Sequence, residues 1–264
     1  MLYAAKNGIA AGAEYIRFGT GRRNLILLPG LGDGLRTMKG MALPMALYYR
    51  CLAKEFTVYL FSRKGNLCEG CTTRDLAWDL ADAMEELGIV SASVVGVSMG
   101  GMIAQHLAAD YPERVERLVL VVTAARENPI LLESLEEWTA CARRGDHRAL
   151  MQSNLRRIYS PEYYRKNKWM IPVTGRLTRP ESYDRFLILA QACRSHDAFD
   201  RLPAIAAPTL VIGGEKDLSL GGEASREIAG QIPGARLHMY PQWGHGLYEE
   251  AKDFLDVVTE FLRE

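Results

Sequence analysis

A single serine lies between two glycines where an apolar segment meets a helical segment, and this junction constrains the fold more than any other feature of the chain. Residues 93–97 form a short β-branched run, and residues 99–111 carry apolar side chains at helical spacing. The turn between them reads Gly96-Val97-Ser98-Met99-Gly100. A serine on so sharp a turn is strained and exposed, and glycine is needed where the backbone passes closely. The sequence therefore predicts that Ser98 is a nucleophile at the end of a buried strand.

Buried strands and helices alternate along much of the chain. The predicted strands are residues 2–4, 13–18, 25–28, 56–61, 93–97, 118–122, 207–214 and 236–240. The predicted helices are residues 41–54, 72–87, 99–111, 224–231 and 251–262. Continuous apolar runs such as residues 25–28 are typical of strands buried on both faces. The alternation predicts an α/β fold with a mostly parallel eight-stranded sheet flanked by helices.

The first two strands are the exception to this parallel pattern. Asn7-Gly8 separates residues 2–4 from residues 13–18, and this dipeptide is a strong hairpin signal. We expect an opening antiparallel hairpin that turns at Asn7-Gly8.

The alternation is interrupted between residues 124 and 200, where helical patterns occur without a clear buried strand. We interpret residues 124–200 as an inserted helical cap, and residues 1–123 and 201–264 as the core domain. From Arg126 to Arg201 there are 14 Lys or Arg and 10 Asp or Glu, a net charge of +4. This charge could steer an anionic substrate or dock an acidic acyl-carrier protein, although solvated helix faces with paired charges explain it more simply.

Composition limits the class of protein. With 264 residues and 48% apolar content, the chain can bury one large core. Lys plus Arg and Asp plus Glu both total 32, which argues against nucleic-acid and membrane-surface partners. No N-terminal signal or membrane span is apparent. Five scattered cysteines make a poor disulfide framework, so we expect a cytoplasmic protein.

A serine nucleophile needs a base within hydrogen-bond reach and a carboxylate that orients the base. Such groups should follow the carboxyl ends of parallel strands, where the loops gather. Asp217 follows the predicted strand 207–214, and His245 follows the predicted strand 236–240. The order Ser98, Asp217, His245 is the order of α/β-hydrolases. Glu215 is the second choice for the acid.

At these residues the sequence resembles the α/β-hydrolase family over nearly its whole length. Within the family it is most similar to the 3-oxoadipate enol-lactonase and carboxylesterase branch. The segments that match are Leu28-Pro29-Gly30-Leu31-Gly32, Ser62-Arg63-Lys64-Gly65, residues 96–101, Tyr111-Pro112-Glu113-Arg114-Val115, residues 213–217 and Gly244-His245. Two departures are Pro29 in place of a histidine, and Leu218 in place of the proline that often follows the aspartate.

The resemblance implies a cofactor-free serine hydrolase of a small carboxylic ester or lactone. Ser98 would be the nucleophile, His245 the base and Asp217 its partner. The backbone N–H groups of Leu31 and Met99 would form the oxyanion hole. The same three residues also serve C–C bond hydrolases, acyl-carrier thioesterases, methyl esterases and perhydrolases, so the sequence does not choose among them. A non-catalytic receptor for small ligands is the alternative from another class.

Other motifs carry less weight. Cys68 and Cys71 have the spacing of a metal or redox pair, but no second pair or histidine cluster accompanies them. Residues 30–34 lack the last glycine of a dinucleotide-binding loop and the Lys-Ser/Thr of a phosphate-binding loop. The sequence therefore predicts neither a cofactor nor a metal.

Overall fold

In the computed structural model, residues 5–264 are described, and their strands join into one sheet of eight strands. In chain order the strands are β1 Lys6–Ala10, β2 Ala13–Phe18, β3 Arg23–Leu28, β4 Phe56–Lys64, β5 Ala92–Val97, β6 Val115–Val121, β7 Thr209–Gly214 and β8 Arg236–Tyr240. Their order across the sheet is β1-β2-β4-β3-β5-β6-β7-β8. β1 and β2 are antiparallel to their neighbours, and the strands from β4 to β8 pair in parallel. The predicted mostly parallel sheet is confirmed.

Helices connect the strands. They are α1 Ala42–Tyr48, α2 Thr73–Glu86, α3 Met99–Asp110, α4 Pro129–Arg143, α5 His147–Ile158, α6 Pro161–Asn167, α7 Ile171–Leu177, α8 Asp184–Arg194, α9 Glu223–Gln231, α10 Leu247–Glu250 and α11 Phe254–Arg263. None of the helices within residues 5–264 combines the length and apolarity needed to cross a bilayer.

The sheet is buried on both faces. Successive side chains of a strand point to opposite faces. In β3, Leu25 and Leu27 therefore belong to a core shared with α1 and α11, and Ile26 and Leu28 to a core shared with α2 and α3. Because both faces are apolar, the polar side chains of the site gather at the carboxyl edge of the sheet, beyond the last strand residues.

Helix α2 follows an N-cap at Thr72, where the sequence predicts the helix to start. The Thr72 hydroxyl accepts the N–H of Asp75 at 3.1 Å, and the Asp75 carboxylate accepts the N–H of Thr72 at 2.8 Å. This reciprocal capping box satisfies two N–H groups that the helix leaves without partners. The predicted helix start is confirmed.

The predicted position of the opening hairpin is wrong. Asn7 and Gly8 lie inside β1, and the chain turns at Ala11-Gly12, where φ is +45° and +80°. Gly8 lies opposite Tyr15 of β2, and a Cβ there would displace the end of the Tyr15 ring. Of the first strand that the sequence suggested, residues 2–4 lie outside the described residues.

Between β6 and β7 the chain is mainly helical, from α4 to α8. One isolated bridge, between Arg126 and Asp197, joins its two ends. The division into a core and a cap at residues 124 and 200 stays a prediction, and we call residues 124–200 the helical segment.

Candidate active site

Ser98 occupies the sharp turn between β5 and α3. Its φ of +54° and ψ of −120° are strained for a residue with a side chain. The Ser98 N–H donates to the Val121 carbonyl at 2.9 Å, and the Thr123 hydroxyl donates to the Ser98 carbonyl at 2.8 Å. The hydrogen bonds from β6 and the residues after it therefore hold the serine in this conformation.

The flanking glycines allow the turn to close. A Cβ on Gly96 would lie 2.5 Å from the Gly100 carbonyl oxygen, and one on Gly100 would lie 2.1 Å from the carbonyl oxygen of Leu28. Carbon and oxygen atoms cannot approach so closely without displacing the backbone. The glycines that the sequence singled out are thus required by backbone contacts.

Asp217 and His245 extend from the ends of β7 and β8 and meet. The His245 Nδ1 lies 2.7 Å from the Asp217 Oδ2, and both residues are buried. The Asp217 Oδ1 accepts the N–H groups of Ser219 at 2.7 Å and Leu220 at 2.9 Å. These two backbone donors fix the carboxylate although no proline follows the aspartate.

Glu215, the second choice for the acid, lies on the surface. Its carboxylate pairs with Arg226, and the described contacts do not bring it to His245. Asp217 is therefore the carboxylate that the fold places beside the imidazole.

Ser98 and His245 line the same cavity of about 270 Å³. Pro29, Gly30 and Leu31 line it from the end of β3, and a Cβ on Gly30 would lie only 3.3 Å from the Cβ of Ser98. The remaining lining residues are Gly32, Asp33, Arg36, Met38, Trp138, Asn154, Ile158, Phe186 and Tyr248. The predicted nucleophile and base are thus brought to one site.

The two predicted oxyanion donors each begin a helical turn beside this cavity. Met99 is the first residue of α3, and Leu31 is the first residue of a 3₁₀ turn, Leu31–Gly34. The first N–H groups of a helix have no partner within it, and they carry the positive end of its dipole. Both N–H groups are therefore free of intrahelical bonds and suited to bind a developing negative charge.

A second cavity of about 420 Å³ adjoins the first and was not predicted. The two share Gly32, Arg36, Asn154 and Ile158 as lining residues. The rest of the second cavity is lined by Leu35, His147, Met151, Leu155, Tyr159, Tyr163, Asn167, Met170, Ile171, Thr174 and Thr178. Most of these side chains are apolar or aromatic and come from α5, α6 and α7. Their positions depend on helix packing that sequence patterns do not specify.

Sequence patterns also missed a cluster of charges beneath the Leu31–Gly34 turn. The Asp33 carboxylate is buried and accepts a 2.8 Å hydrogen bond from Arg185 of α8. Arg63 is the second-to-last residue of β4, and its backbone N–H donates to the same carboxylate oxygen at 3.0 Å. Of these charged residues, the family motifs in the sequence had singled out Arg63 alone, within the segment Ser62-Arg63-Lys64-Gly65.

Cys68 and Cys71 are free thiols, and neither lines the cavity of Ser98. Cys68 is exposed, and burial with nearby acidic groups raises the pKa of Cys71 to about 11, so its thiol is protonated at neutral pH. Glu69 and Gly70, which stand between the two cysteines in the sequence, line a separate cavity between α4 and α8. Ser98 does not line that cavity. Within residues 5–264 no three His, Cys, Asp or Glu side chains are grouped to hold a metal ion.

Comparisons with known proteins bear on the family and the fold. The family profile described as alpha/beta hydrolase fold matches residues 23–252. The chain is 28% identical to a 2-hydroxy-6-oxononadienedioate/2-hydroxy-6-oxononatrienedioate hydrolase of Burkholderia vietnamiensis, covering 98% of this chain and 93% of that protein. It is 31% identical to a putative non-heme bromoperoxidase of Mycobacterium tuberculosis, covering 90% and 92%. The crystal structure of an enol-lactonase from Burkholderia xenovorans superimposes with a TM-score of 0.80 at 25% identity, covering 98% and 100%.

Proposed function

Because the chain belongs to the α/β-hydrolase family, we propose that it is a cofactor-free serine hydrolase that cleaves a small carboxylic ester or lactone through an acyl-enzyme on Ser98. The observation that carries this proposal is the shared cavity of Ser98 and His245, with Asp217 bound to the far side of the imidazole. A binding protein would need neither the strained serine nor the buried pair.

His245 acts as the base in the first step. An ionised Asp217 only accepts hydrogen bonds, so the Nδ1 of His245 carries the proton that is shared with it. The Nε2 is then unprotonated and takes the proton of the Ser98 hydroxyl as the oxygen attacks the carbonyl carbon. The same proton passes to the leaving alcohol, and water then attacks the acyl-enzyme in a second, equivalent cycle.

The tetrahedral intermediate is stabilised by backbone N–H groups. The N–H groups of Met99 and Leu31 bind its oxyanion, and each such donor typically contributes about 10²–10³ in turnover. Since the Leu31 side chain takes no part in this bond, conservative substitution of Leu31 should be mild.

The size and chemistry of the two cavities support an ester or lactone with an apolar portion. The 270 Å³ cavity holds the reacting carbonyl, and the adjoining 420 Å³ cavity holds the rest of the substrate. Similarity to an enol-lactonase supports a lactone. The five cysteines are all free thiols in the fold, which suits the cytoplasmic location that is part of this proposal.

The second candidate is C–C bond hydrolysis next to a ketone by the same residues. Similarity over 98% of the chain to a protein named as a hydrolase of hydroxy-oxo dioates favours it. Parallel assays of p-nitrophenyl acetate, small lactones and a 2-hydroxy-6-oxo dienoate separate the two reactions.

The decisive experiment is intact-mass analysis after incubation with a fluorophosphonate. The native chain should gain one adduct, and the Ser98→Ala variant should gain none and lose esterase turnover. An unlabelled native chain, or a Ser98→Ala variant that keeps its esterase activity, would overturn the proposal. His238→Ala, at a histidine of β8 outside the cavity, is the control and should be labelled like the native chain.

A further inference from the structure

Arg185 connects the helical segment to the loop that carries Leu31. Its Nη2 donates to the Asp33 Oδ2 at 2.8 Å and to the Arg63 carbonyl at 2.9 Å, and its Nη1 donates to the Asp33 carbonyl. One guanidinium therefore holds both the backbone and the side chain of Asp33, two residues beyond the proposed oxyanion donor.

Arg63 holds the other end of the same loop. Its Nη2 donates to the Pro29 carbonyl at 2.5 Å, and its Nη1 donates to the Phe61 carbonyl at 3.4 Å. Arg63 is buried, and its own backbone N–H donates to the Asp33 carboxylate. The loop from Pro29 to Asp33 is thus fixed on both sides of Leu31 by charge-assisted hydrogen bonds, which are stronger than neutral ones.

The packing of α8 supports the same contact. A Cβ on Gly34 would lie 2.9 Å from the Cα of Phe186, so only glycine lets α8 approach the turn this closely. Phe186 lines the cavity beside Ser98, whereas the neighbouring Arg185 donates a hydrogen bond to Asp33 of the loop. Helix α8 is therefore both a wall of the cavity and a support of the loop.

We propose that Arg185 is a positioning residue, which holds the Pro29–Asp33 loop through Asp33 so that the Leu31 N–H points at the forming oxyanion. This inference rests on the proposed function. Arg185 acts through Asp33 and contacts protein groups, so its effect should fall on turnover and not on substrate binding.

The test compares Arg185→Gln with Arg194→Gln, an exposed arginine at the end of the same helix. Loss of one oxyanion donor costs about 10²–10³ in turnover. A loosened donor should therefore lower kcat for p-nitrophenyl acetate about 10- to 100-fold in Arg185→Gln, with KM within about twofold. Arg194→Gln should match the native enzyme.

Two further measurements separate positioning from general destabilisation. The affinity for a trifluoromethyl ketone, whose adduct with Ser98 carries an oxyanion, should fall in proportion to kcat. Millimolar guanidinium should restore part of the turnover of Arg185→Ala. If Arg185→Gln does not fold, Arg185→Lys keeps a positive charge beside Asp33 but has a single nitrogen in place of the guanidinium, and it should show a smaller loss of kcat with KM within about twofold.

Two results would overturn the inference. One is unchanged kcat in folded Arg185 variants, even with a lowered Tm; the other is a raised KM with unchanged kcat, which would make Arg185 a substrate-binding residue. Failure of the proposed function is distinguishable, because the native chain would then gain no fluorophosphonate adduct on Ser98.

Discussion

The imidazole of His245 and the carboxylate of Asp217 meet at 2.7 Å in a buried site, although 28 residues separate them in the chain. The two loops that carry them pass so closely that a Cβ on Gly214 would lie 2.6 Å from the Gly244 carbonyl oxygen. A further hydrogen bond of 3.1 Å joins the Lys216 N–H to the Trp243 carbonyl. The pairing of acid and base is therefore fixed by backbone contacts as well as by its own hydrogen bond.

Replacing Asp217 with asparagine should lower kcat by about 10⁴ without unfolding the protein. The asparagine Oδ1 can still accept the N–H groups of Ser219 and Leu220, so the loop keeps its shape. Its amide would then donate to the His245 Nδ1 and favour the wrong tautomer. Steady-state kinetics measures the loss. Glu215→Gln is the matched control, and a large loss there instead would identify Glu215 as the acid.

Replacing Ser98 with glycine should abolish turnover and raise the free energy of unfolding by about 1 kcal/mol. The gain arises because φ of +54° with ψ of −120° strains any residue with a Cβ. Ser98→Ala is the matched control, since it removes the hydroxyl but keeps the Cβ and therefore the strain. Urea denaturation of both variants measures the difference. A Ser98→Gly variant no more stable than Ser98→Ala would contradict this prediction, because the strain relieved would then not exceed the cost of the more flexible unfolded chain.

Filling the second cavity should weaken the hydrolysis of esters with long acyl chains and leave short esters unaffected. Met151 lines that cavity and not the one with Ser98, so Met151→Trp should leave p-nitrophenyl acetate hydrolysis within about twofold. It should lower kcat/KM for p-nitrophenyl octanoate at least about tenfold, since each buried CH₂ contributes about 0.8 kcal/mol. Gln191→Trp, in the separate cavity between α4 and α8, should change neither ester. Equal losses for both esters in Met151→Trp would contradict this use of the cavity.

The fold and the meeting of the three site residues could be predicted because local rules determine them. Buried parallel strands are continuous apolar runs, their carboxyl ends meet at one edge, and side chains just beyond them gather there. The family resemblance, which rested on these motifs, is confirmed by the profile match over residues 23–252. The catalytic roles of Ser98, Asp217 and His245 stay a prediction.

What could not be predicted depends on contacts between distant segments. Asp33 and Arg185 are 152 residues apart, and neither stands in a pattern that marks a pair. The second cavity requires the arrangement of α5, α6 and α7, which amphipathic periodicity leaves open. The hairpin turn was misplaced because Asn7-Gly8 has the composition of a turn, whereas both residues lie within β1 and pair with β2.

Two buried histidines away from the site should make the protein less stable in acid. The rings of His106 and His196 pack edge to face with centroids 5.2 Å apart, and the Thr73 hydroxyl lies 2.8 Å from the His196 Nδ1. Burial lowers the pKa of His106 to about 4, opposed by the charge of Asp110. Burial, and then the proximity of His106, lowers the pKa of His196 to about 3.

The unfolded chain binds a proton at each of these histidines below about pH 6.5, whereas the folded chain does not until about pH 4. The free energy of unfolding should therefore fall as the pH is lowered from about 6.5 to 4, by at most about 1.4 kcal/mol per pH unit for each histidine. Urea denaturation between pH 7 and 5 measures the slope. The variant His106→Gln/His196→Gln should flatten it, and His238→Gln, the control on β8, should not. An unchanged slope in the double variant would mean that other groups cause the acid sensitivity.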